Sequence, residues 1–256
     1  MRPWWPASLA LLGACGPLPP MRHRIEAGED PYVVFVADAP DGRGDLWAMN
    51  TGGGESVQLT FSLPAESRPA LSPDGDVIAF LRARSSADTV HRRAWLLNLL
   101  NGAEREMELP EGAGAPIEVA WRGRGALLVR TSDGTYLLDA PPAPADPRRV
   151  SPAEAARADS AFAVHVGDPP FGCIMACADG SGLCVGDGAG RASSLAPGGR
   201  DPMAWGADSV GYVEGSELVV RPVGPGRARR ARLPTRLAHA REFTAFLGKR
   251  AGQDEP

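Results

Sequence analysis

Lysine is almost missing from this chain: Lys249 is the only one, so nearly all positive charge is arginine. With the abundance of alanine this is a trait of GC-rich coding and assigns no function. Acids outnumber bases, 31 Asp and Glu against 27 Lys and Arg for a formal charge of −4. The broad basic footprint that nucleic-acid binding demands is therefore lacking. Beyond Cys15 no apolar run approaches the roughly 18 residues needed to cross a bilayer. Gly-x-Ser-x-Gly, Gly-x-x-x-x-Gly-Lys and His-Glu-x-x-His do not occur. The four histidines, His23, His91, His165 and His239, fall in separate segments, and most acids sit in turns, where Asp stabilises backbone. No catalytic residue, metal or cofactor is expected.

What the chain has in plenty is punctuation. Its 31 Gly and 25 Pro among 256 residues suit an architecture that turns every ten residues or so, and 43% hydrophobic residues are enough to bury a full-sized core. The organising stretch is Ser67 to Phe80, SRPALSPDGDVIAF, which reads as strand, tight turn, strand. In its turn, Ser72-Pro73-Asp74-Gly75, Pro73 presets φ, Asp74 can bond back to nearby backbone N–H groups, and Gly75 accepts positive φ. The pair of an alanine with a bulky apolar residue recurs at Ala70-Leu71, Ala120-Trp121, Ala163-Val164, Ala204-Trp205 and Ala245-Phe246, at spacings of 50, 43, 41 and 41. A period near 40 with about four short strands per unit is that of a β-propeller blade.

Unit one has three strands (Tyr32–Val36, Asp45–Asn50, Ser56–Thr60) and no innermost one. Unit two carries an insertion, Arg82 to Arg93, that accounts for the long spacing. Unit three (Ile117–Trp121, Ala126–Arg130, Thr135–Asp139, Arg148–Val150) is followed by Ser151–Arg157, a helix signal with a Ser cap and Glu154 at capping-box distance, expected to bridge two blades. In unit four, Phe171–Ala178 and Leu183–Gly186 flank Asp179-Gly180-Ser181-Gly182. A hairpin centred between Gly180 and Ser181 would set Cys177 directly opposite Cys184, a disulfide candidate in an oxidising compartment. Cys173, roughly 13 Å along the strand from Cys177, is too far to bond it. Buried thiols are the alternative; a metal site with His165 fits no zinc spacing. Unit five ends in Arg227, Arg229, Arg230 and Arg232: either an outer edge guarded against pairing or a candidate docking patch for an acidic partner or anionic lipid. The last segment, Ala240 to Lys249, holds only one strand, the one unit one lacks. The expected fold is all-β: a propeller of five blades of four antiparallel strands, closed by strands from both termini, with six blades the alternative.

The fragment DLWAMNTGGGESVQLTF followed by SRPALSPDGDVIAF resembles the propeller repeat of TolB, the periplasmic component of the Tol–Pal system. The likeness is specific over about 50 residues and elsewhere only rhythmic. It implies a scaffold that offers its rim or channel to an unidentified envelope protein or peptide. A ligand sensor, or an enzyme of hydrolase or lyase type with its site in the central channel, is the alternative. TolB-type propellers usually have six blades and follow an α/β domain that nothing here resembles.

At the amino terminus, an early Arg, a short apolar run and small residues have the layout of a secretory signal. Its ending, Leu12-Gly13-Ala14-Cys15, resembles the lipobox of bacterial lipoproteins, which implies acylation of Cys15 and a lipid anchor in a membrane. Gly16 after the cysteine favours the outer membrane, with the protein facing the periplasm or the surface. The expected division is a signal peptide over 1–14, a Pro-rich tether over 15–30, the propeller over 31–250 and a tail over 251–256.

Overall fold

The computed structural model describes residues 21, 25–38, 43–139, 147–166, 172–186, 191–205, 209–222, 224–235 and 239–248, with 156–160, 164–166 and 172 by backbone alone. Its regular structure is five four-stranded antiparallel sheets and one helix. Blade one is Tyr32–Asp38 (β1), Gly44–Asn50 (β2) and Ser56–Gln58 (β3); blade two is Glu66–Leu71 (β4), Val77–Ala83 (β5), Arg92–Asn98 (β6) and Glu104–Met107 (β7). Blade three is Pro116–Trp121 (β8), Ala126–Thr131 (β9), Thr135–Asp139 (β10) and Arg148–Arg149 (β11). A helix, Pro152–Phe162 (α1), leads to blade four: Val164–Val166 (β12), Gly172–Ala176 (β13), Gly182–Gly186 (β14) and Ala192–Pro197 (β15). Blade five is Gly199–Ala204 (β16), Ser209–Glu214 (β17), Glu217–Pro222 (β18) and Arg229–Arg232 (β19). The last strand, Arg241–Phe246 (β20), returns to blade one and pairs with β1, Tyr32 facing Phe246 and Val33 facing Ala245. The chain is thus a five-bladed β-propeller whose two ends share one sheet.

Each blade packs both of its faces, which is why its middle strands read as unbroken apolar runs. Alternate residues of β1 point to opposite sides. Val33 and Phe35 cluster with Met203, Val213, Leu218 and Val220 of blade five, and Val34 and Val36 with Ile78, Phe80 and Leu97 of blade two. Burying each such side chain stabilises the fold by about 1.5–3 kcal/mol. The innermost strands ring a central axis, β20 beside β4 and β16, β4 beside β8, and β12 beside β16. Between blades three and four the helix lies against both β8 and β12. It is longer than the expected 151–157 because its last turn has something to pack on: Phe162 and Ala155 join Leu128 and Val150, and the Arg130 guanidinium stacks on the Phe162 ring at 4.1 Å.

Four expectations need correcting. The insertion of unit two is shorter, since Arg82 and Ala83 belong to β5, and Arg92 and Arg93 to β6. Ala163-Val164 opens β12, whereas the other four pairs close their innermost strands, so the repeat is out of phase in blade four. Part of the expected tether is packed: Met21 and Ile25 are buried among Tyr32, Val34 and Leu97, and Asp30 N–H bonds back to the Glu26 carbonyl. Arg227 precedes β19 instead of lying within it. The residues 1–14, Cys15 and the tail 251–256 lie outside the described residues.

Candidate functional site: the central channel

The innermost strands of the blades enclose a channel of about 800 Å³. Near its mouth four inner strands, β4, β8, β16 and β20, bulge, and at three of the bulges a residue with a side chain is held in the left-handed region: Arg68 (φ 53°), Asp201 (φ 50°) and Glu242 (φ 55°). Such backbone costs about 1–3 kcal/mol unless its surroundings enforce it. Here each of these three is pinned by its neighbour. The Asp201 carboxylate accepts the Glu242 N–H at 3.0 Å, and the Glu242 carboxylate accepts the Arg68 N–H at 2.5 Å. Arg200 closes the series by donating to Asp201 and to the Ala240 carbonyl. Blades five, one and two are thereby tied edge to edge around the opening, and Glu118, paired with Arg130 at 3.1 Å, continues the polar rim on blade three. Nothing in the sequence announces these bulges, because Arg, Asp and Glu give no sign of positive φ where glycine would.

The turn Ser72-Pro73-Asp74-Gly75 lies at the opposite end of the inner strands. The Ser72 hydroxyl accepts the N–H groups of Asp76 and Val77, and Ser72 N–H bonds the Val77 carbonyl. Asp74 reaches out to Arg124 of blade three at 3.1 Å, so the bonding back expected of it falls to Ser72. Gly75 serves two needs: φ is +67°, and a Cβ there would fall 2.5 Å from the Phe246 ring. Its carbonyl accepts the buried Tyr32 hydroxyl, whose pKa is pushed up by burial and by the nearby Asp76. The organising turn is therefore the point at which blade two grips the closing blade.

Cys177 and Cys184 are joined, with Cα atoms 5.0 Å apart, and Cys173 is a free thiol. The register differs from the symmetric hairpin expected. Met175, not Cys177, faces Cys184, and Cys177 N–H bonds the Gly182 carbonyl, so the bridge runs diagonally. Gly182, at φ +141°, takes up the asymmetry of the loop. The arginines Arg227, Arg229, Arg230 and Arg232 are all exposed. Arg230 is neutralised by Glu214 at 2.6 Å and Glu217 at 2.8 Å, while Arg227, Arg229 and Arg232 have no ion pair among the described residues.

No motif in the sequence pointed to the ion cluster buried in blade two on its side toward blade one, which blade one reaches through the Leu46 N–H at 3.3 Å. Glu66 is 1% exposed and receives Arg82 through Nε (2.9 Å) and Nη2 (2.6 Å), together with the hydroxyls of Thr60 and Ser62. Arg82 also reaches Glu104 at 2.7 Å and lies 4.5 Å over the Trp95 ring. Burial pushes the Glu66 carboxyl above its ordinary range, and Arg82 works in the opposite sense. Among the described residues no group of three or more His, Cys, Asp or Glu is placed to hold a metal, and no helix is long and apolar enough to cross a membrane.

No protein-family model matches the chain, and no curated protein matches it in sequence. Among solved structures it is similar to TolB from Acinetobacter baumannii, at 17% identity and a TM-score of 0.49 over 86% of this chain and 68% of that one. A TolB from Agrobacterium tumefaciens gives 13% and 0.36, over 78% of this chain and 60% of its own. Apo AztD from Citrobacter koseri gives 14% and 0.32, over 80% and 58%. The chain thus spans well under two thirds of the second and third of these.

Proposed function

We propose that this propeller is the body of a lipid-anchored cell-envelope protein that works as a binding scaffold, offering the mouth of its channel to a protein or peptide. The observation that carries the reading is the linked rim. Asp201 and Glu242 spend their carboxylates on the backbone of the next blade, which leaves a shaped, rigid opening in place of free acids available for proton transfer. Rigid, preorganised surface lowers the ordering cost of association. The Cys177–Cys184 bridge suits an oxidising compartment, and Leu12-Gly13-Ala14-Cys15 supplies the anchor. Arg227, Arg229 and Arg232 at the edge of blade five, which have no ion pair among the described residues, are kept as a secondary docking patch, with Arg230 beside them.

The test is affinity capture from envelope extract at near-physiological salt with a non-lipidated form. A partner is expected, and Glu242→Arg should release it, with the fold checked by circular dichroism. No partner, together with turnover of a glycan or lactone, would establish the channel as an enzyme site instead. For the anchor, Cys15→Ser should move the protein from membranes to the soluble fraction; continued membrane association would refute it.

A further inference from the structure

Beside the channel, on the face that carries the Ser72–Gly75 turn, a second cavity of about 380 Å³ opens between blades two and three. Its volume lies in the lower part of the range for small-ligand sites, roughly 300–1,000 Å³. Trp121 lines both this cavity and the channel, and its indole N–H is committed to the Ala70 carbonyl at 2.9 Å, which fixes the plane of the ring. The opposite wall is amide-rich. Asn98 accepts the N–H groups of Leu100 and Asn101 through Oδ1, and Asn101 accepts that of Ala103, so the Nδ2 groups of both side chains have no acceptor among the described residues. Asp76 takes the Ser72 hydroxyl on Oδ1 and has Oδ2 to spare, and Arg105 has no ion pair among the described residues.

We infer that this cleft binds a neutral sugar, a mono- or disaccharide. Two features select that class. First, the charges balance: Asp74 and Asp76 face Arg105 and Arg124, with Asp74 and Arg124 already paired, so neither an anion nor a cation is favoured. Second, spare donors (Arg105 and the two amides) stand beside a spare acceptor (Asp76) at a fixed aromatic ring. A hydroxyl-bearing ring needs both, because each hydroxyl donates and accepts, while its C–H face packs on the indole. The inference is independent of what occupies the channel.

Calorimetric titration of the intact protein with maltose, cellobiose and N,N′-diacetylchitobiose tests it. At least one is expected to bind saturably at millimolar concentration or below. Arg105→Ala, an exposed change outside every described ion pair, is expected to weaken it by about tenfold or more, the loss of a charged hydrogen bond. Trp121→Ala should abolish it; if that variant fails to fold, Arg105→Ala decides. No saturable binding of any of the three by folded protein overturns the inference, as does binding that Arg105→Ala leaves unchanged. Saturable binding of citrate or spermidine alone would likewise overturn it.

Discussion

At the scale of single residues, the costliest commitment is the charge buried in blade two on its side toward blade one. Removing one member of such a pair leaves the other without compensation, at a cost of about 3–5 kcal/mol. Arg82→Ala should therefore lower the urea unfolding free energy by that amount, whereas the apolar double replacement Glu66→Leu with Arg82→Met should recover part of the loss. Gly75 is the second sensitive point. Ala there must adopt a left-handed backbone and push its Cβ against Phe246, and the two effects together should destabilise by about 2–4 kcal/mol. Placed in a Phe246→Ala background, the same change should cost measurably less, because the clash and not only the backbone is responsible. Gly75 was legible as a turn glycine. Its partner across the ring was not, since 171 positions of chain separate them and only the closed fold brings them together.

Among the elements, α1 is the one whose start the sequence states most openly, and its cap makes a pH prediction. Hydrogen bonds from Arg148 and from Ser151 hold the Glu154 carboxyl down to about 2. The folded value lies below the unfolded value of about 4.3, so what this carboxylate contributes is complete above that pH and is lost as pH falls toward the folded value. The protection factors of the first-turn amides of α1, exchange rates corrected for their intrinsic pH dependence, should fall on acidification through that window, and in Glu154→Gln the step should vanish. A helix start equally protected at pH 5 and pH 2.5 would show that the capping box does not hold it. Hairpins were less legible than caps. The Cys177–Cys184 loop places its glycines unevenly, so a symmetric count set the cysteines opposite each other where the strands set them diagonally. The bulges at Arg68, Asp201 and Glu242 were not legible at all, being imposed by neighbouring strands on residues of ordinary propensity.

For the whole molecule, the decisive contact is β20 against β1. Phe243 stacks on Phe35 with ring centroids 4.9 Å apart, and Phe246 tilts against Tyr32 at 5.7 Å. Without β20 the first blade would expose an apolar edge strand that invites pairing with other chains. A chain ending at His239 is expected to lose cooperative unfolding and to aggregate; a truncated chain that melts with the parent's midpoint would mean that ring closure contributes nothing. The same closure explains how five units were countable in advance. Repeats of about 40 residues with one strand missing at the start and one strand left over at the end leave little other way to satisfy both edges.

By itself the sequence determined the local grammar: strands where apolar runs lie between turn residues, and a helix where Ser151 and Glu154 cap one. These are short-range matters, settled by φ preferences and by alternation along each strand. Which side chains meet across blades was decided only by the tertiary structure. The Leu46 N–H of blade one finding Glu66 of blade two, Asp201 reaching the Glu242 amide and Phe246 covering Gly75 all depend on how five twisted sheets pack face to face around an axis. No pattern along the chain encodes those distances, because they follow from the packing of whole sheets and not from the preferences of any one residue.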